Sequence, residues 1–560
     1  MVAEISSRAV WVGIDILNKR SAGGVTRRSV VAGLASVGCS FGAGSGYAQR
    51  SQVVLIDDRE PGRPISRFIY GSNEIGTMDG GAPSGDLDRL AGVTARRLGG
   101  NLMTTYNWVN NASNAGKDYQ NSNGAFLLDA LDIPKEDWSK PGIVVETMHE
   151  ASLSLGAKSL VTVPIAGYVA ADFNGPVSPK ETAPSSRFVP IRWSGIEGDR
   201  NVVDITRFVA NLIARYGDAG SDRGIWGYAL DNEPGLWSEN HPRIVKTHPT
   251  VQSLIERSIT AASAIKALDP KAMVFGPASW GATEMVNFQN APDFAKYRHY
   301  GSFLAAYLDA FREASERAGH RLIDVLDVHW YAFSSHGVLY RSNDPKLAQY
   351  LLDAPRSLTD PSFREESWVS NALPSGPGDG VRLPLLPSLT GITERWFPGT
   401  DLAITEYNYG GADLLASGLA VADALGRFGS HGVRFASHWG SLSGWLIQAY
   451  RLYREPDASN ETFGELGLPV ENSIPGVSVY AARSPQRDRL QIVALNKTAK
   501  NVTMNLAFRS ARKYRLADSI GFDADHRQTV FLDEEARDTE GAVVLTMPPF
   551  AARRYVFAAA

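Results

Sequence analysis

Two carboxylates in this chain stand where an otherwise apolar segment gives no structural reason for them. Ile225-Trp226-Gly227-Tyr228-Ala229-Leu230 is a short apolar run of buried-strand type that leads into Asp231-Asn232-Glu233-Pro234-Gly235-Leu236-Trp237. Pro234 and Gly235 stop the strand, which leaves Glu233 at its carboxyl end. Leu402-Ala403-Ile404-Thr405-Glu406-Tyr407 repeats the arrangement, with Asn408, Tyr409, Gly410 and Gly411 behind it. Paired strand-end glutamates suit glycosidic-bond hydrolysis. One carboxyl protonates the leaving oxygen, the other works across the sugar, and a gap of about 5 to 5.5 Å gives retention of configuration. Asn232 fits the same chemistry, because an amide beside the acid can hydrogen-bond a hydroxyl next to the reacting carbon.

Further candidates cluster near the same strand ends. His329 and Tyr331 alternate along Val325-Leu326-Asp327-Val328-His329-Trp330-Tyr331 and so share a face, with Trp330 on the other. Tyr331 is placed to hydrogen-bond Glu406 and keep it ionised and aimed. His329 reads equally as a site residue or as a satisfied structural histidine. Arg97 ends another strand and could pair with Glu406 and lower its pKa, or form a plain ion pair. Trp439 is a candidate sugar platform, with core packing as the alternative. Asn101, Asn107 and Trp108 are expected to line a neighbouring loop. Other chemistries find no support. His149-Glu150 lacks the second histidine of a zinc protease helix, and neither a nucleophile-elbow serine nor a phosphate-cradling Gly-Lys-Ser/Thr loop occurs.

Strand-like and helix-like segments alternate through the body of the chain, as a βα-repeating fold requires. Eight strands are predicted: Phe68–Gly71, Ala95–Gly99, Leu160–Pro164, Ile225–Leu230, Met273–Gly276, Val325–His329, Leu402–Tyr407 and Val433–Ser437. The clearest helix carries Val202, Ile205, Val209, Leu212 and Tyr216 and ends at Gly217; others run from Leu254 toward Asp269-Pro270 and across Phe303 to Phe311. Eight strands with interleaved helices fit a closed (β/α)8 TIM barrel, with the two glutamates on strands 4 and 7 and the active site at the carboxyl ends. An open doubly wound sheet would want a Gly-x-Gly-x-x-Gly turn, which is absent. Long connections from Ala166 to Asn201 and from Ala332 to about Trp396 would shape a cleft on the active-site face, and Leu373 to Pro387 reads as loop. After about Gly464 the pattern becomes short alternating strands at Val477–Tyr480, Leu490–Leu495, Val502–Leu506, Val543–Met547 and Tyr555–Phe557, an expected C-terminal β-sandwich domain. The division expected is 1–48 export signal, 49–62 a strand joining the sandwich through Val53-Val54-Leu55-Ile56, 63–464 barrel and 465–560 sandwich.

Composition narrows the function classes. A net charge of −4 over 560 residues gives no basic footprint for nucleic acid. The 12 tryptophans and 20 tyrosines suit stacking on sugar faces, although aromatic richness mostly means core. The single cysteine, Cys39, leaves no intrachain disulfide. Thr26-Arg27-Arg28-Ser29-Val30-Val31 opens an apolar stretch to Phe41 that looks like a twin-arginine export signal, with Gly46-Tyr47-Ala48 for cleavage. That points to a secreted or periplasmic bacterial protein with no membrane segment in its mature form.

Several ordered motifs resemble one family. These are Arg97-Leu98-Gly99-Gly100-Asn101, the segment from Tyr106 to Gly116 with Asn-Asn-Ala-Ser-Asn-Ala-Gly, Asp231 to Trp237, Asp327 to Tyr331, and Thr405-Glu406-Tyr407-Asn408. Together, and over the chain from about Val53, they resemble glycoside hydrolase family 44. The resemblance implies a retaining endo-acting β-1,4-glucanase, often with strong xyloglucanase activity, on a barrel with an attached sandwich. Glu233 matches the family's acid/base and Glu406 its nucleophile. Members can bind a structural calcium ion; its ligands are not mapped, with Asp118 and neighbouring loop carboxylates the candidates, and no other cofactor is required. A β-1,4-linked polysaccharide is the expected partner and a monomer the expected state. The same machinery directed at β-mannan or xylan is the alternative, and a non-catalytic carbohydrate-binding protein is the alternative of another class.

Overall fold

The computed structural model describes residues 53–73, 84–195, 201–485, 489–534, 536–539 and 542–559. The export signal read from the sequence lies outside them. Eight strands close into a parallel barrel in chain order: Gly71–Asn73, Ala95–Leu98, Lys158–Val163, Gly227–Leu230, Met273–Ser279, Val325–Tyr331, Asp401–Asn408 and Phe435–His438. The eighth strand returns to the first through the pair Ser437↔Gly71. A closed barrel has no free strand edge, so every ladder is paired.

The inward side chains explain both the floor and the mouth of this barrel. Trp226, Phe275 and Phe435 meet at one end with ring centroids 5.5 to 5.9 Å apart, and Ala95, Leu160, Val325 and Ala403 complete that apolar layer. Two residues further along each strand the same face turns polar: Arg97 after Ala95, Thr162 after Leu160, Asp327 after Val325, Thr405 after Ala403, Ser437 after Phe435. The barrel is thus plugged at the amino ends of its strands and chemically equipped at the carboxyl ends.

Strand 1 departs from expectation. Phe68 and Ile69 belong to a 3-10 turn, Arg67–Ile69, because the Ser66 side chain accepts the Phe68 N–H and caps it; the strand starts at Gly71. Gly71 is required there, since a Cβ would fall 2.5 Å from the Ala436 carbonyl oxygen of strand 8. Strand 8 is likewise displaced, to Phe435–His438. The helix ending at Gly217 runs Ile205–Tyr216, capped by the Asp204 carboxylate accepting the Thr206 and Arg207 N–H groups. The other two run Val251–Leu268 and Phe303–Ala318.

Both long connections carry structure of their own. The first folds into a small sheet of Tyr168–Ala170, Phe188–Arg192 and Val203–Asp204. The second is shorter than expected, because a helix, Leu385–Trp396, occupies its end; Pro387 sits in the first turn, where a missing N–H costs nothing.

Beyond the barrel, two sheets pack face to face. Val53–Ile56 enters the five-stranded one, parallel to Val502–Phe508 and antiparallel to Val470–Asn472. The seven-stranded sheet is buried on both faces: Ile492 and Ala494 point to the sandwich core with Met504 and Phe557, whereas Val493 and Leu495 join the barrel core. Burial on both sides is why Leu490 to Leu495 is a nearly continuous apolar run.

Candidate active site

The backbone at the end of strand 4 is bent to deliver Glu233. Asp231 has φ 69° and Glu233 has φ 45° with ψ 56°, left-handed conformations that cost free energy in residues with a Cβ. The surroundings hold them there. The Asp231 carboxylate is fully buried and accepts the N–H groups of Ile165 (2.6 Å), Ala166 (3.0 Å) and Asn232 (2.8 Å) and the Thr104 hydroxyl (2.6 Å). The Glu233 N–H donates to the Ala278 carbonyl at 3.1 Å, and the Trp237 indole N–H to the Asn232 carbonyl at 3.0 Å. Asp231 is therefore the clamp of this turn. On strand 7 the register with strand 6 slips between Ile404 and Glu406, so that Glu406 lies opposite His329. A bulge of this kind re-aims the side chain that follows it.

Glu406 is gripped through both oxygens. Arg97, fully buried, donates from Nη1 to Oε1 at 2.8 Å, and the Tyr331 hydroxyl donates to Oε2 at 2.7 Å. Glu233 faces a different environment. His329 Nδ1 lies 2.9 Å from its Oε1, and burial pushes its carboxyl up to about 7, with Arg97 opposing. His329 is itself held neutral, its pKa pushed down to about 3 by burial. One oxygen of each glutamate and one His329 ring nitrogen lie within 4.8 Å of one another. Two carboxyls at this range, one paired with a guanidinium and the other raised by burial to hold a proton near neutrality, are the unlike settings that nucleophile and acid need.

The remaining predicted residues divide. Asn232 accepts from Arg97 Nη2 on Oδ1 at 2.9 Å and donates from Nδ2 to Asn101 Oδ1 at 3.4 Å, so Asn101 joins the site through it. Trp439 is 8% exposed and packs on Gly100, where a Cβ would fall 2.6 Å from its ring. Asn107 and Trp108 are not brought to the pair. Asn107 spends its amide on the Ala170 carbonyl and the Val109 N–H, and Trp108 stacks on Phe208 at 5.5 Å while its indole N–H serves the Asp204 carbonyl. Both hold loops together.

Other groups went unpredicted. Asn73 on strand 1 accepts from Arg97 Nη1 at 3.0 Å, and the misplaced start of that strand hid it. Asp327, its carboxyl raised to about 7 by burial, accepts the Thr405 hydroxyl at 2.7 Å beneath the pair. Its place two residues before His329 was a readable signal. Glu284 is fully buried, accepts the Trp280 N–H at 3.0 Å and lies against Gly235. Only the fold brings it near Glu233.

A calcium ion takes six to eight oxygen ligands. Asp118 offers one oxygen to such a set: its Oδ2 accepts from Asn101 Nδ2 at 2.9 Å, while its buried Oδ1 has no hydrogen-bond partner among the described residues. Among the described residues, the trio of Glu233, His329 and Glu406 has metal-ligand spacing, but the guanidinium on Glu406 opposes a cation there.

A plugged parallel barrel carrying two glutamates in unlike protonation environments at its open end defines a glycoside hydrolase of the (β/α)8 type. Comparison with known proteins agrees. The profile of Glycoside hydrolase family 44 matches residues 112–333. "Endoglucanase A" of Paenibacillus lautus is 37% identical over 522 residues, covering 88% of this chain and 71% of that one. "Beta-mannanase/endoglucanase A" of Caldicellulosiruptor saccharolyticus is 36% identical over 484 residues, covering 82% of this chain but 35% of that longer protein. A solved Paenibacillus polymyxa xyloglucanase of family 44 superposes with a TM-score of 0.84 at 35% identity, over 90% of this chain and 99% of that one. The chain belongs to glycoside hydrolase family 44.

Proposed function

We propose that the protein is an endo-acting β-1,4-glucanase that cleaves cellulose-type glucans and xyloglucan with retention, by double displacement. The observation that carries this reading is the unlike setting of the two glutamates within 4.8 Å, Glu406 ion-paired to Arg97 and Glu233 buried with its carboxyl raised to about 7. In the first step the Glu406 carboxylate bonds to the anomeric carbon as the glycosidic C–O bond breaks, and the Glu233 proton passes to the departing oxygen. Asn232 donates an amide hydrogen to the neighbouring hydroxyl of the sugar. In the second step Glu233 takes a proton from water, the water oxygen bonds to the anomeric carbon and the Glu406 ester bond breaks, which restores both side chains.

The names of the relatives support β-glucans as substrates: an endoglucanase and a xyloglucanase. A β-mannan is the second reading, favoured by the mannanase part of the other relative's name. This chain spans only 35% of that protein. We further infer an exported monomer. Support for export is the Arg27-Arg28 signal, and no helix among the described residues is long and apolar enough to cross a membrane.

The test is release of new reducing ends from xyloglucan, carboxymethyl-cellulose, mannan and xylan, with the wild type beside Glu406→Gln. A β-glucan cut by the wild type and nearly untouched by the variant is the expected result. A wild type that binds these polymers without releasing ends would replace the enzyme with a binding protein.

A further inference from the structure

Asp118 takes no part in the chemistry above, yet an unbroken run of side-chain hydrogen bonds joins it to Glu406. Asp118 Oδ2 accepts from Asn101 Nδ2 at 2.9 Å, and Asn101 Oδ1 accepts from Asn232 Nδ2 at 3.4 Å. Asn232 Oδ1 accepts from Arg97 Nη2 at 2.9 Å, and Arg97 Nη1 donates to Glu406 Oε1 at 2.8 Å. Asp118, Asn232, Arg97 and Glu406 are all buried, and Asn101 is half-buried.

The polarity of this run is fixed at both ends. A guanidinium only donates, so the Asn232 atom that faces it is Oδ1, and Nδ2 is turned toward Asn101. Asn101 must then offer Oδ1 to Asn232, which turns its own Nδ2 to Asp118, where an acceptor is needed. Remove that acceptor and Asn101 is free to rotate its amide and present Nδ2 to Nδ2, donor against donor. The turn that carries Asp118, Gly116–Tyr119, is locked to the segment that carries Glu233. Gly116 has φ 55°, and a Cβ on it would fall 2.1 Å from the carbonyl oxygen of Asn240, at the end of the helix Trp237–Asn240.

We propose that Asp118 is a positioning residue for the glycosidase reaction. Acting through Asn101, it fixes the Asn232 amide so that one Nδ2 hydrogen is spent on Asn101 and the other is left for the sugar hydroxyl beside the anomeric carbon. This assignment rests on the proposed double displacement and on Asn232 as the hydroxyl's donor. Because that contact strengthens in the transition state, its disorder lowers kcat more than it raises KM.

The experiment is a double-mutant cycle on soluble xyloglucan and carboxymethyl-cellulose: wild type, Asp118→Ala, Asn232→Ala, the double variant, and Asp118→Asn. Asp118→Ala is expected to lower kcat about 10-fold with KM changed less than about twofold, and to cost less than about twofold once Asn232 is alanine. Asp118→Asn, whose Oδ1 can take the carboxyl oxygen's place, is expected to recover kcat to within about threefold of the wild type. If Asp118→Ala does not fold, Asn101→Ala breaks the same run at its next link and enters the cycle instead. An equal loss with and without Asn232, or an Asp118→Asn as impaired as Asp118→Ala, overturns the proposal while leaving the glucanase reading intact. A folded wild type that releases no ends overturns the glucanase reading itself.

Discussion

The two glutamates differ in what surrounds them, and that difference has measurable consequences. Glu233 must hold a proton for the first step, and its carboxyl is raised to about 7 by burial. As pH rises through that value the protonated fraction falls, so kcat/KM is expected to decline above about pH 7. In Glu233→Gln the alkaline limb should vanish and the remaining rate should be about 10²- to 10⁴-fold lower, the usual worth of a positioned acid. A pH–rate profile of both proteins checks this. Tyr331→Phe removes one of the two groups that grip Glu406. One charge-assisted hydrogen bond is worth about 1.5–3 kcal/mol, so kcat is expected to fall by about 10- to 100-fold, and the thermal midpoint is expected to drop as the buried Glu406 oxygen loses its donor. Steady-state kinetics beside a melting curve separates the two effects. At this scale much was legible in the sequence: an acid ending an apolar strand has few structural excuses, and the alternation of His329 with Tyr331 put both on the face that reaches the pair. The roles of Asn107 and Trp108 were not legible, because their motif is equally compatible with holding a loop and with facing a sugar, and nothing local says which way a loop side chain turns.

Strands 4 and 7 deliver their glutamates only because the barrel closes, and closure is tightest where strand 8 meets strand 1. Gly71→Ala sets a methyl 2.5 Å from the Ala436 carbonyl oxygen. Overpacking of that kind costs about 1–3 kcal/mol, so the thermal midpoint is expected to drop, and activity with it as Asn73 and Arg97 lose register. Differential scanning calorimetry with an activity assay at low temperature tests both halves. The element pattern was readable for strands 2 to 7, where apolar runs are long and bounded by turn residues. It failed at strand 1, because the apolar Phe68 and Ile69 are consumed in a turn capped by Ser66 and the strand itself is Gly-Ser-Asn. Polar strand residues buried against a guanidinium carry no hydrophobic signal. The helix Leu385–Trp396 was partly hidden for the converse reason, since Pro384 and Pro387 read as loop although a first helical turn accepts proline.

Across the whole molecule, buried acids with raised pKa values set the response to pH. Glu233 at about 7 and Glu284 and Asp118 at about 8 stay protonated in the folded protein, whereas in the unfolded chain they release their protons near pH 4. Over that window the unfolded state binds fewer protons, so stability falls as pH rises from about 4 to 8. The thermal midpoint is therefore expected to drop between pH 6 and pH 9, and Glu284→Gln, which cannot ionise, should lessen the drop. The packing of barrel on sandwich also has a point of attachment. Lys497 reaches the fully buried Asp423 of a barrel helix at 2.7 Å. Lys497→Met leaves that carboxylate with Arg427 and Tyr480 only and should cost about 1–3 kcal/mol in denaturant melts. The central claim, a double displacement through Glu406, is tested most directly by following the anomeric proton signals of a cello-oligosaccharide during hydrolysis by the wild type. Retention requires the β-anomer to form first and the α-anomer to grow only at the rate of mutarotation; an α-anomer formed first would show a single inverting displacement and contradict the role given to Glu406.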